Sequence, residues 1–257
     1  MSDIKFVEYK GVQYEVLNDI GHLDYLNLRR VGIEDITEIK NLGKLKNLKS
    51  LILDDNNIHN IAGLETLINL EILNLSGNPI HKIEGLDNLK KLKILNLSEC
   101  NIKRIEGLNS LRSLKKLKLK FNEISEISGL DSLNKLEALD LSHNKINEVK
   151  NLNNLKQLIQ IDLSHNRIQD MNGFQGLSNL KRLYLDVNQI KVVRHLESLV
   201  KLEELNVANN PIEKIENYES LKNIWTITIN TDRLPDLEFS TFTSYFRPGR
   251  DGDYFPK

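Results

Sequence analysis

Asparagine returns every 22 residues along most of this chain, at Asn56, Asn78, Asn122, Asn144, Asn166, Asn188 and Asn210, with Cys100 in the one place it misses. A fixed period of this length means that each unit buries its apolar side chains only against its neighbours, so the chain must stack into a solenoid. Around each marker the same apolar frame recurs, as in Leu70, Leu73, Leu75, Asn78, Ile80, Ile83, Leu86, Leu89 and Leu92. Eight units tile residues 48–223, and one more precedes them from Leu23, with three extra residues before Leu48 and Val31 in the asparagine place. Beyond 223 the frame continues through Ile224, Ile227 and Ile229, then meets Asp232 and Leu234-Pro235. The division expected is an N-terminal cap over 1–22, nine repeats over 23–223, and a degenerate last repeat with an aromatic cap and tail over 224–257.

Within a unit, Leu-x-Leu alternates with period two and reads as a short strand. The remainder carries an apolar residue at every third position, which suits 3₁₀-like or short helical return segments better than a long α-helix. Asn, Gly and Pro punctuate the cycles and exclude a coiled coil. The fold expected is therefore an α/β solenoid, an arc with a parallel β-sheet on its concave side and 3₁₀ or short helical segments on its convex side. Ten strands at sheet spacing would span about 45 Å.

Two columns carry the turn chemistry. The asparagine amide, with two donors and two acceptor sites, can satisfy backbone groups left unpaired where the chain leaves the strand. Cys100 offers only a weak S–H donor and is expected to be a buried structural thiol. The second column, Gly63, Gly85, Gly107, Gly129, Asn151, Gly173, His195 and Asn217, collects residues that tolerate positive φ, so a left-handed turn is expected in every unit.

With these motifs in place the chain resembles the 22-residue class of leucine-rich repeats from Leu23 to about Leu237. It is similar to the regulatory subunit of type-one protein phosphatase, to a spliceosomal leucine-rich-repeat subunit and to the repeat domains of internalins. That resemblance implies an arc-shaped scaffold for a protein partner, with a phosphatase or a GTPase-type regulator as the analogy. It does not transmit one partner, because function lies in the exposed residues rather than in the frame.

Charge and cysteine content narrow the classes. Thirty-five basic residues stand against 36 acidic ones, a formal net charge of −1 that gives no global pull toward nucleic acid or anionic lipid. One cysteine forms no internal disulfide, and no run of 18 apolar residues occurs. The N-terminus shows no basic stretch followed by an apolar run, and no secretion or anchoring segment of the internalin kind is evident. A cytoplasmic protein, monomeric when unbound and without a membrane association, is the expectation.

Caps are needed where a solenoid ends. Residues 4–17 alternate apolar and polar on both sides of Lys10-Gly11 and read as a β-hairpin lid over the first repeat. At the other end Phe239, Phe242, Tyr245, Phe246, Tyr254 and Phe255 crowd the last 19 residues. Phe239 to Phe246 are expected to plug the final repeat, with Arg247 to Asp253 as a loop or tail. A short aromatic recognition tail is the alternative.

Residues between the strand leucines point to the concave side, which makes a binding surface legible as columns. Lys116, Lys118 and Lys120 alternate on one strand, followed by Phe121, and neighbouring strands bring Asp140, Asp162, Arg182, Tyr184 and Asp186 into the same zone. Tyr, Phe and Arg commonly anchor interfaces, so this patch is read as the centre of a protein-binding face. The competing reading is an exposed Lys118–Asp140 ion pair of little energetic weight. Ile52, Ile72 and Ile94 add an aliphatic cluster toward the N-terminal half. His143 and His165 share the place just before the asparagine on adjacent repeats, near the aspartates, and are counted with the face. They lack an established metal-ligand spacing, and no strained nucleophile turn or oxyanion pocket accompanies them, so neither a metal site nor an enzyme is expected. No cofactor is implied. An alternative function is a subunit of a nucleic-acid-associated complex that touches RNA or DNA through the lysine strand, with Phe121 and Tyr184 for stacking, though the adjacent aspartates disfavour nucleic acid as a partner.

Overall fold

The computed structural model describes residues 6–18, 24–230, 246–248 and 253–256. Its body is one sheet of short strands: β4 (Asp24–Asn27), β5 (Ser50–Ile52), β6 (Ile72–Asn74), β7 (Ile94–Asn96), β8 (Lys116–Lys118), β9 (Ala138–Asp140), β10 (Gln160–Asp162), β11 (Arg182–Tyr184), β13 (Glu204–Asn206) and β15 (Thr226–Thr228). All pair in parallel with the next coil in an unbroken register, so that Lys118 lies opposite Asp140, Asp140 opposite Asp162, and Asp162 opposite Tyr184. The central residue of each strand is a buried Leu or Ile, and its two neighbours stand on the open face.

The three-residue apolar period of the return path closes into 3₁₀-type bonds: Leu67 N donates to Leu64 O at 3.0 Å and Leu70 N to Leu67 O at 2.9 Å, and later coils repeat the pair. Among the described residues no α-helix occurs; three short 3₁₀ helices, at Ile36–Glu38, Leu42–Lys44 and Tyr218–Ser220, are the only helical elements. Short strands β12 (Val192–Val193) and β14 (Lys214–Ile215) pair in parallel outside the main sheet.

Each asparagine ties two coils together. Asn144 Nδ2 donates to Leu119 O, Leu141 O and Ser142 O at 2.9, 3.0 and 3.1 Å, while its Oδ1 accepts from Ile124 N at 3.0 Å. Cys100 keeps only long contacts from Sγ to Leu75 O and Ser98 O, at 3.6 and 3.5 Å. Ile80 N, the amide an asparagine there would receive, turns back to Asn78 O instead. Burial pushes the Cys100 thiol up to about 11, which leaves it un-ionised and inert as a nucleophile at neutral pH.

Every member of the second column has positive φ, from 54° at Asn217 to 94° at Gly173. At Gly107 a Cβ would sit 2.2 Å from Ile83 O, so glycine serves the close approach of two coils as well as the torsion. Asn151 meets the same demand differently, its Nδ2 donating to Ile127 O at 2.8 Å.

A hairpin of β1 (Phe6–Tyr9) and β2 (Val12–Glu15) turns through Lys10 (φ 48°) and Gly11 (φ 83°). Val7 and Tyr9 enter the core, and Glu8 bridges to Lys40 of the first repeat, so the hairpin packs on that repeat. Strand β3 (Leu17–Asn18) then pairs antiparallel with β4. At the far end β16 (Phe246–Pro248) and β17 (Asp253–Pro256) pair antiparallel with each other, and β17 pairs with β15. Arg247, Pro248 and Asp253, read from sequence as part of a loop or tail, thus lie in strands that extend the sheet, because β15 otherwise presents a row of unpaired backbone groups. The aromatic plug expected at Phe239, Phe242 and Tyr245 lies outside the described residues.

Candidate functional site

The open face of the sheet is written by the residues on either side of each buried strand centre. On β8, Leu117 is buried and Lys116 and Lys118 are exposed. Among the described residues neither ammonium has a carboxylate partner, in contrast to Lys49, Lys93, Lys115 and Lys181, which pair with glutamates of adjacent coils just outside the strands. Lys120 lies past the strand end and turns aside, with its ammonium 4.8 Å from the centre of the Phe121 ring. The three lysines therefore do not act as one row: two face the concavity and the third belongs to the aromatic edge.

The Lys118–Asp140 pair does not form despite their facing positions. Asp140 Oδ1 is held by Ser142, whose N and Oγ donate to it at 3.1 and 2.7 Å, and Asp162 treats Ser164 in the same way at 3.0 and 2.7 Å. Asn74 and Asn96 fill this turn role on earlier strands through their own Oδ1. The turn needs an acceptor oxygen; the negative charge of Asp140 and Asp162 is surplus to it. Lys116, Lys118, Ala138, Asp140, Gln160 and Asp162 line a shallow depression of about 290 Å³.

Beyond it, Arg182 and Tyr184 converge on Glu204, with the Tyr184 hydroxyl donating to Oε2 at 2.9 Å and Arg182 Nε at 3.7 Å from it. Burial first, then the bond to Glu204, pushes the Tyr184 hydroxyl up to about 12. Asn206 Nδ2 donates to Asp186 Oδ1 at 3.1 Å. Burial, joined by the charge of Asp162, raises the Asp186 carboxyl above its ordinary range. Glu204 and Asn206 are members of the site that column reading passed over; their strand position was visible, but their pairing depends on the cross-strand register.

Phe121, His143 and His165 form a stack along one edge of the face, with successive ring centres 3.9 Å apart and planes inclined by 26° and 12°. Near-parallel imidazoles direct their in-plane nitrogen lone pairs alongside each other rather than at one point. Among the described residues no cluster of three or more His, Cys, Asp or Glu is placed to hold a metal. Burial, then the nearby His165 and Lys120, lowers the His143 pKa below 6.5. The stack is seated on unusual backbone: Asp55, Glu99, Phe121, His143, His165 and Val187 all have φ between 52° and 56°. Each of these amides then donates to the carbonyl of the next coil, as His143 N does to Ser164 O at 2.9 Å.

Ile72 and Ile94 sit side by side in register and half-buried, and Ile94 faces Lys116 on β8. Ile52 lies in the neighbouring column, opposite Asn74. Across β6 to β11 the face thus runs from aliphatic through cationic to anionic, and ends at Arg182 and Tyr184.

Family models described as leucine-rich repeats match residues 46–88 and 178–238, and 90–146 and 148–190. The chain belongs to the leucine-rich-repeat family. It is similar to a solved internalin (inlF) from Listeria monocytogenes, at 28% identity and a TM-score of 0.70, over 83% of this chain and 62% of that one. A second internalin of that organism, inlC2, shares 28% identity with a TM-score of 0.62 over 80% of each chain. The protein of a TLR13–ssRNA13 complex is similar at 27% identity and a TM-score of 0.71, over 80% of this chain and 32% of that one. No curated protein sequence matches. Among the described residues no helix is long and apolar enough to cross a membrane.

Proposed function

We propose that this protein is a non-catalytic scaffold that binds a folded protein partner on its concave face, centred on β8 to β11. The observation that carries this reading is the pair of exposed, uncompensated ammonium groups of Lys116 and Lys118 beside surplus carboxylates, whereas Lys49, Lys115 and Lys181 just outside the strands are paired with glutamates. A broad shallow depression suits a protein surface, whereas small ligands and reactions favour deep, enclosed sites. The internalin likeness supports a scaffold; the single buried Cys100 supports action in a reducing compartment such as the cytoplasm. The test is affinity capture from native lysate with wild type and with Lys116, Lys118 and Lys120 all changed to Glu. Loss of a wild-type partner supports the reading, and identical recovery overturns it.

A nucleic-acid partner is the second reading, favoured by the lysines and by the likeness to a protein solved with single-stranded RNA. Anisotropy of labelled RNA and DNA at low and moderate salt tests it, since phosphate binding weakens steeply as salt rises.

A further inference from the structure

The charge on the concave face is ordered, and that order defines what can lie on it. Ile72 and Ile94 occupy β6 and β7, Lys116 and Lys118 occupy β8, and Asp140 and Asp162 occupy β9 and β10, each strand about 4.8 Å from the next. The two ammoniums stand on alternate residues of one strand, about 7 Å apart. A segment that crosses the strands obliquely passes from Ile94 over Lys116 and Lys118 to Asp140 within about 12 Å. We infer that the partner docks here through a short acidic segment seated on Lys116 and Lys118, flanked by an aliphatic residue over Ile72 and Ile94 and by a basic residue over Asp140 and Asp162.

This rests on the scaffold reading above and adds the chemistry of the partner. Three features support it. Asn74 and Asn96 perform uncharged the turn role of Asp140 and Asp162, so the fold does not require those charges. Asp140 and Asp162 stand directly opposite each other on adjacent strands, where like charges repel, so the anionic strip gains from an incoming cation. A continuous phosphodiester chain running across the strands would leave the lysines and meet that anionic strip at once, which favours a segment of alternating sign over a polyanion. An extended segment rises about 3.3 Å per residue, so the aliphatic, acidic and basic residues should follow one another at steps of two to four residues.

The test is selection of short random linear peptides, displayed on phage, against the full chain, with sequencing of the recovered pool. Wild type should enrich acidic residues about tenfold or more, with an aliphatic residue on one fixed side and Lys or Arg on the other. The double variant Lys116→Glu with Lys118→Glu should replace that acidic preference with a basic one. Asp140→Asn with Asp162→Asn keeps the acceptor for Ser142 and Ser164, and should lose the basic preference while retaining the acidic one. A pool without charge order, the same pool from wild type and the lysine variant, or no enrichment overturns the inference. So does oligouridine that competes better than the recovered peptides and depends on the same lysines. If lysate capture depends on the lysines while the peptides show no acidic motif, the partner chemistry fails and the scaffold reading stands; if capture ignores the lysines, the scaffold reading itself fails.

Discussion

At the foot of successive strands the interior repeats itself bond for bond. Asn78, Asn122 and Asn144 each hold three carbonyls with one amide nitrogen and accept one buried N–H of the preceding coil. A few ångströms away on the open face, positions in the same register pass from Ile94 to Lys116 to Ala138, and from Asn96 to Lys118 to Asp140. The interior is uniform because backbone groups buried without partners are costly and every coil presents the same ones. The face is free to vary because solvent satisfies whatever stands there. What repeats therefore reports folding, and the proposed binding role rests on what departs from the repeat on the open face.

The sharpest way to break the contrast is Asn144→Ala, which strands the buried Ile124 N and takes one of two donors from each of Leu119 O, Leu141 O and Ser142 O, and should cost about 3 kcal/mol in denaturant unfolding. Gly107→Ala should cost about 2 kcal/mol, since it adds a left-handed torsion penalty to the approach of Ile83 O. Cys100→Asn runs the other way: by offering Ile80 N the inter-coil acceptor used in other coils, in place of its bond back to Asn78 O, and by shortening the contacts to Leu75 O and Ser98 O, it should stabilise by about 1 kcal/mol and raise Tm by about 2–4 °C. On the face, Lys116→Ser with Lys118→Ser should leave stability within about 0.5 kcal/mol of wild type while abolishing capture of the partner. The smallest effect concerns pH. The folded state binds a proton on His143 less readily than the unfolded chain does, so this group lowers stability as pH falls below 6.5. Thermal melts of wild type and His143→Phe across that range should diverge, with the variant losing less on acidification.

Much of the interior was legible from sequence because its periods are rigid. The Leu-x-Leu alternation located the strands, the asparagine column located the inter-coil bonds, and Gly63 to Asn217 located a turn whose positive φ the structure shares. A second left-handed column escaped notice because Phe121, His143 and Val187 do not announce positive φ; its members share the bond from their amide to a carbonyl of the next coil, Glu99 included although Cys100 rather than an asparagine follows it. The face was legible only as positions. Lys120 turning onto Phe121, the stacked rings of His143 and His165, and Glu204 gathering Arg182 and Tyr184 all depend on rotamers chosen across strands, which a column of letters does not specify.

Hydroxyl-radical footprinting of the captured complex, read by mass spectrometry, most directly tests whether the partner lies in the concavity. Ile72, Ile94 and Tyr184 should be shielded on binding, while exposed Ile68 and Val200 on the return segments keep their free-state oxidation rates. Shielding of Ile68 and Val200 with the three concave residues unchanged would contradict the account.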